Sequence, residues 1–177
     1  MSLESSAESL KSFIRDVPDF PKPGIVFKDI TTLLKDPIAF RRSLDMFTVL
    51  CGDRPVDAVM AIESRGFILG SALADRLGVG LVPVRKPGKL PSRTIQCTYD
   101  LEYGTDSLEV HEDAFARGQR VLVVDDVIAT GGTARAAGEL ARQLGATVAA
   151  YAFLVELGFL NGRAKLEGAE VLSLIRY

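Results

Sequence analysis

The chain has 177 residues, 47% hydrophobic and 25% charged, the proportions of one soluble globular domain with a real core. A net charge of -2 argues against general nucleic-acid binding, so a polyanionic ligand would have to be met by local basic clusters. Cys51 and Cys97 stand far apart with no histidine beside them, which excludes a zinc pattern and a disulfide framework and fits a reducing, cytoplasmic compartment. The first ten residues are polar and acidic, unlike a signal peptide, and no apolar run is long enough to span a bilayer.

In chain order, Leu10, Phe13, Ile14 and Val17 recur at helical spacing and predict an amphipathic helix over 9–17. Pro18, Pro21 and Pro23 end it and force an extended path. Residues 24–30 read as a short strand or irregular β segment. Asp36 before Pro37 marks a helix start, an N-cap followed by proline at the first helical position. That helix should run to about Leu50, with the segment from Cys51 to Pro55 closing it. Residues 58–62 form a buried strand, 63–66 a turn, 67–77 a helix with Ile68, Ala72 and Leu73 inward, and 80–84 the next strand. Such a unit predicts parallel pairing through a right-handed crossover.

Residues 85–93 are basic, contain Pro and Gly, and lack periodicity, so they read as a mobile loop or a solvated linker. Residues 94–100 and 107–110 alternate apolar and polar side chains, which predicts an antiparallel hairpin projecting from the core. Residues 121–124 are all valine or leucine, a strand buried on both faces and hence parallel. A helix over 134–144, a strand over 147–155, a short helix over 161–166 and a last strand over 171–175 complete a three-layer α/β domain spanning 1–177. Its ligands belong at the carboxyl ends of the strands.

The polarity flips after Val124. Asp125 and Asp126 are expected to end the strand; Thr130, Gly131, Gly132 and Thr133 then lead into the helix. A loop entering a helix N-terminus offers free N–H groups and the positive end of the helix dipole, and glycines let the backbone approach an anion closely. Carboxylates cannot bind phosphate, but they accept hydrogen bonds from vicinal hydroxyls. Acids for a diol beside a phosphate nest describe a ribose 5-phosphate site. Neither a G-x-G-x-x-G fingerprint nor the lysine of a Walker A loop is present. An ordinary capped turn is the plainer alternative, but two adjacent acids after a buried strand are costly without partners. His111 is the only histidine, so a histidine-based metal site is excluded.

The stretch 123–133 resembles the phosphoribosyl-diphosphate (PRPP) motif of the type I phosphoribosyltransferases. Segments 20–30, 63–67, 85–91 and 101–104 resemble, in the same order, those of the adenine-using branch of that family, and the likeness runs from about Phe13 onward. The resemblance implies a three-layer parallel-sheet fold with an N-terminal base-binding hood over 1–35 and a flexible loop and hairpin over 85–110. It implies purine salvage: adenine N9 joins C1 of PRPP, giving AMP and pyrophosphate. Mg2+ would accompany PRPP, held by it and by water and not by direct protein ligands. A homodimer is implied, with Arg85 reaching a neighbour's site, and neither nucleic acid nor membrane is a partner.

By the same resemblance, Asp125, Asp126, Ala129, Thr130, Gly131, Gly132 and Thr133 take the ribose 5-phosphate. Glu63, Ser64 and Arg65, in a loop with a non-proline cis peptide, take the pyrophosphate together with Arg85, Lys86 and Lys89. Glu102 is the acid/base residue, and Val26, Phe27 and Lys28 hold adenine. Lys28 departs from the arginine common in the family and lacks its flat guanidinium. Two other functions compete: transfer to a 6-oxopurine, xanthine or orotate on the same fold, and a PRPP-sensing DNA-binding regulator, for which this acidic chain has no basic domain.

Overall fold

The computed structural model describes residues 3–100, 104–166 and 168–177, with side chains from residue 7 onward. In chain order come α1 (Leu3–Lys11), β1 (Arg15–Pro18), β2 (Val26–Asp29), α2 (Thr31–Lys35), α3 (Pro37–Cys51), β3 (Ala58–Ile62), α4 (Arg65–Leu77), β4 (Gly80–Val84), β5 (Thr94–Asp100), β6 (Thr105–His111), β7 (Arg120–Ile128), α5 (Gly132–Gln143), β8 (Thr147–Glu156) and β9 (Glu170–Arg176). Two 3-10 turns, Gly158–Leu160 and Gly162–Lys165, lie between β8 and β9. No described helix is long and apolar enough to cross a membrane.

The central sheet has the order β4-β3-β7-β8-β9, and every neighbouring pair is parallel. Successive strand side chains point to opposite faces, so the apolar runs feed two cores at once. Leu122 and Val124 enter a core with Leu33, Phe47, Leu69 and Leu73, on the side of α2, α3 and α4. Val121 and Val123 enter the other, with Leu140 of α5 and Leu108 and Val110 of β6. Asp36 caps α3 as expected, its carboxylate accepting from the amides of Ile38 (3.0 Å) and Ala39 (2.8 Å). The β5–β6 hairpin also forms as expected. It does not stand free, however, but lies against α5 and buries Tyr99, Leu108 and Val110.

Four expectations are corrected. The helix expected over 9–17 is α1, a turn and then β1; Leu10 and Ile14 are buried all the same. Val17 pairs with Phe27 in the small β1–β2 sheet, and that pairing overrides the helical spacing. In α4, Leu73 is buried and Ala72 packs half-buried on the core as expected, but the third inward residue is Leu69, while Ile68 is exposed. The short helix expected over 161–166 is a single 3-10 turn, Gly162–Lys165, set off from the turn Gly158–Leu160 by Asn161, whose φ of 51° interrupts helical geometry. Lastly, β7 does not stop before the acids. It outruns β3, whose pairing ends at Ala61 with Val124, and continues beside β8 to the pair Ile128 and Glu156. Asp125 and Asp126 are thus strand residues, just past the last residue of β7 that pairs with β3.

Candidate active site

The acid pair lines a cleft of about 1150 Å³ at the carboxyl ends of the strands. Its walls are β2 of the small N-terminal sheet, the turn between β3 and α4, the loop between β7 and α5, and residues 157–160. Of the residues expected in the site, Val26, Phe27, Lys28, Glu63, Ser64, Arg65, Lys86, Asp125, Asp126, Ala129, Thr130 and Thr133 line this one cavity. Arg85, Lys89, Gly131 and Gly132 do not line it but adjoin residues that do. Glu102 lies outside the described residues.

The acid pair is electrostatically uneven. Asp126 is buried, and its Oδ2 accepts from Arg65 Nε at 2.5 Å. Asp125 Oδ1 accepts from the Asp126 amide at 2.8 Å and sits where a side chain on Gly66 would have to go, 2.9 Å away. Burial and the neighbouring Asp126 push the Asp125 carboxyl well above the usual range, with Arg65 only partly opposing them. The Gly66 position explains the glycine in the 63–66 turn: α4 can start against the end of β7 only without a side chain there.

The 63–65 turn joins a strand to the first residue of a thirteen-residue helix, so its amides sit at a helix N-terminus. The Glu63–Ser64 peptide is cis, as the resemblance implied. Arg65 also stands over the Phe27 ring, 5.1 Å from its centroid, which ties the hood to the floor of the cleft. On the opposite wall, Gly131 is left-handed, with φ of 80°, and leads directly into α5 at Gly132. The Thr133 hydroxyl in that first turn donates to Tyr99 OH at 3.3 Å.

The basic loop after β4 is folded onto carboxylates. Glu63 receives Lys89 Nζ at 2.7 Å, Arg85 Nε at 3.0 Å and the Lys86 amide at 3.0 Å. Burial alone would raise the Glu63 carboxyl, but these three donors carry it below the ordinary range. Lys86 Nζ pairs with Asp106 and donates to Tyr99 OH at 3.2 Å. Arg85 and Glu109 exchange both backbone hydrogen bonds, at 3.0 and 2.7 Å, so the root of the loop is stitched to the hairpin. Two cations, Arg85 and Lys89, therefore meet the turn in which the resemblance places pyrophosphate, with the Lys86 ammonium held nearby on Asp106.

At the base end, among the described residues β2 pairs in a sheet with β1 alone, which leaves its other edge free of a strand partner. The Lys28 ammonium turns to Asp16 Oδ1 at 2.7 Å and stands 4.0 Å from the centre of the Tyr177 ring. Across the cleft lie Phe159, 73% exposed, and Leu160, an apolar wall suited to a planar ring. Reading the chain alone missed Asp16, Tyr99, Asp106, Phe159, Leu160 and Tyr177. None stands in a motif, and each joins the site only through tertiary contact; two apolar residues flanked by glycine and asparagine were the one available signal. Among the described residues, no three His, Cys, Asp or Glu side chains are arranged to hold a metal.

A parallel sheet with an acid pair and two helix-starting turns around one cleft is the frame of a phosphoribosyltransferase, and the phosphoribosyl transferase domain matches residues 39–170. Adenine phosphoribosyltransferase of Thermotoga neapolitana is 60% identical over 168 residues, covering 95% of this chain and 99% of its own. The crystal structure of the Thermoanaerobacter pseudethanolicus adenine phosphoribosyltransferase superposes with a TM-score of 0.94 at 54% identity, covering 97% of this chain and 99% of that one. The Saccharomyces cerevisiae enzyme, crystallised with adenine and an imino-altritol bisphosphate, has a TM-score of 0.91 at 44% identity, covering 96% and 98%. The chain belongs to the adenine phosphoribosyltransferase family.

Proposed function

We propose that this chain transfers the 5-phosphoribosyl group of PRPP to adenine, giving AMP and pyrophosphate, and so serves purine salvage as a pentosyltransferase. The observation that carries the proposal is the convergence on one cleft of the acid pair, the Thr130–Thr133 turn, the Glu63–Arg65 turn and the open edge of β2. The ribose diol meets Asp125 and Asp126, the 5-phosphate meets the amides and hydroxyls from Ala129 to Thr133, and the pyrophosphate meets Ser64, Arg65, Arg85, Lys86 and Lys89. Glu63 holds Arg85 and Lys89, and Asp106 holds Lys86, until the diphosphate takes them over. Adenine lies between the β2 edge and Phe159.

In the reaction N9 of adenine forms its bond to C1 as the C1–O bond to pyrophosphate breaks. Glu102 takes the imidazole-ring proton at N7 as that happens. The donors present suit Mg2+ carried by PRPP: hard carboxylate oxygens at Asp125 and Asp126 can reach it through water or the ribose diol. When bound, the ion neutralises diphosphate charge. Residues 1–35 form the base hood, 85–110 the loop and hairpin, and the chain acts as a cytoplasmic homodimer. An absorbance assay with PRPP, Mg2+ and adenine, hypoxanthine or orotate tests the reading. Product from adenine alone supports it, and turnover of orotate in place of adenine overturns it.

Thr133→Val removes one hydroxyl from the 5-phosphate turn. Hydrogen bonds to charged groups contribute roughly 1.5–3 kcal/mol each, so AMP and PRPP should bind roughly 10- to 100-fold more weakly. Adenine affinity, measured separately by calorimetry, should hardly change. Equal loss for all three ligands would mean a damaged fold.

Replacing Lys86 and Lys89 together with alanine should raise KM for PRPP and leave AMP affinity nearly intact, because AMP lacks the pyrophosphate. Their present partners, Asp106 and Glu63, are carboxylates that an incoming diphosphate can replace. A matching loss for AMP would move the loop's role to the 5-phosphate.

A further inference from the structure

We infer that the 3-10 turn Gly162–Lys165 positions the ribose 5-phosphate site, with Gly162 as the backrest of the phosphate loop and Arg163 as its anchor; this rests on the phosphoribosyl-transfer reading above. Neither residue was part of any motif, and neither lines the cleft.

Two backbones touch here without side chains between them. A side-chain carbon on Gly131 would lie 2.3 Å from the Gly162 carbonyl oxygen. One on Gly162 would lie 2.2 Å from the Ala129 carbonyl oxygen and 2.8 Å from the Gly131 amide nitrogen. All of these neighbours are main-chain atoms, so no flexible side chain can swing aside. The loop whose front offers Ala129, Thr130 and Thr133 to the cleft therefore leans its back on Gly162.

Gly162 is in turn held by its neighbour. Arg163 grips the buried Glu156 with both arms, Nε to Oε1 at 3.1 Å and Nη2 to Oε2 at 2.5 Å, and donates through Nη1 to the Val171 carbonyl at 2.7 Å. Ser173 adds a hydroxyl to the same carboxylate at 2.5 Å. The Arg163 hydrogen bonds draw the Glu156 carboxyl below its ordinary range, so it stays charged and paired. Glu156 is the residue of β8 in register with Ile128, the last residue of β7 before the phosphate loop. The clamp is thus built on the strand beside the one that launches the loop, and it returns through Gly162 to the loop's own backbone. Hydrogen-bond donors for a phosphate lose their value with sub-ångström displacement, which gives such a rigid return its use.

The test compares wild type, Gly162→Ala and Arg163→Lys by calorimetric titration with ribose 5-phosphate, AMP and, separately, inorganic pyrophosphate, alongside KM for PRPP. Gly162→Ala should push the 129–131 backbone away and weaken ribose 5-phosphate and AMP by roughly tenfold or more, the equivalent of one amide–phosphate bond. KM for PRPP should rise, while pyrophosphate affinity, which depends on the 63–65 turn and the basic loop, stays as in wild type. Arg163→Lys keeps the charge and loses the fork. It should show the same pattern in smaller measure, and it decides the matter if Gly162→Ala does not fold. Unchanged ribose 5-phosphate affinity in the folded variant, or an equal loss for pyrophosphate, overturns the inference. If wild type itself ignores ribose 5-phosphate, the phosphoribosyl reading fails first and the inference goes with it.

Discussion

Adenine should be preferred to hypoxanthine by ~10⁴ in kcat/KM, the discrimination open to a site built around hydrogen bonds. Adenine offers a donor at its exocyclic amine and an acceptor at N1; hypoxanthine reverses both. A peptide edge can read that difference with one C=O and one N–H. The segment proposed to do so is β2, which has a free edge and is held stiff by the turn through Pro21 and Pro23. The Lys28 side chain is already engaged by Asp16 and the Tyr177 ring. Lys28→Ala and Lys28→Arg should therefore keep the adenine preference, even if the loosened hood slows both bases alike. Measuring kcat/KM for both bases in all three proteins decides it. Collapse of the ratio in Lys28→Ala alone would show that the side chain is the reader.

Glu102→Gln should slow the chemical step by ~10²–10⁴, the usual contribution of general acid–base catalysis. The amide keeps the shape and loses the base. PRPP affinity should survive, because the groups proposed to bind it belong to other elements. The flanking hairpin arm does reach the phosphate side of the cleft: the Asp100 carbonyl oxygen lies 3.2 Å from where a side chain on Gly132 would begin. Product release can mask chemistry in steady state, so single-turnover rates are the proper measure. A variant with an unchanged single-turnover rate, at a pH where chemistry limits, would end the acid/base role of Glu102.

Much of this protein was legible in its sequence because two-sided burial demands unbroken apolar runs. The strand at 58–62, buried at every residue, could be read residue by residue, and Asp36 with Pro37 announced α3 through local capping chemistry. The stretch from Asp125 to Thr133 likewise carried its own chemistry, since acids, hydroxyls and glycines at a helix start are local facts. Tertiary structure decided what depends on a distant partner. Val17 became a strand residue because Phe27 lies across from it, whatever its spacing from Leu10. Asp125 and Asp126 lie inside β7 and still line the cleft; β7 pairs with β3 only as far as Val124 and runs on beside β8, a difference no window around the acids contains. Tyr99, Asp106 and Phe159 entered the site from separate elements, and Gly162 met Gly131 across thirty residues of chain. A residue's type limits what it can do, but only the closing of the chain sets which backbone or charge stands opposite it.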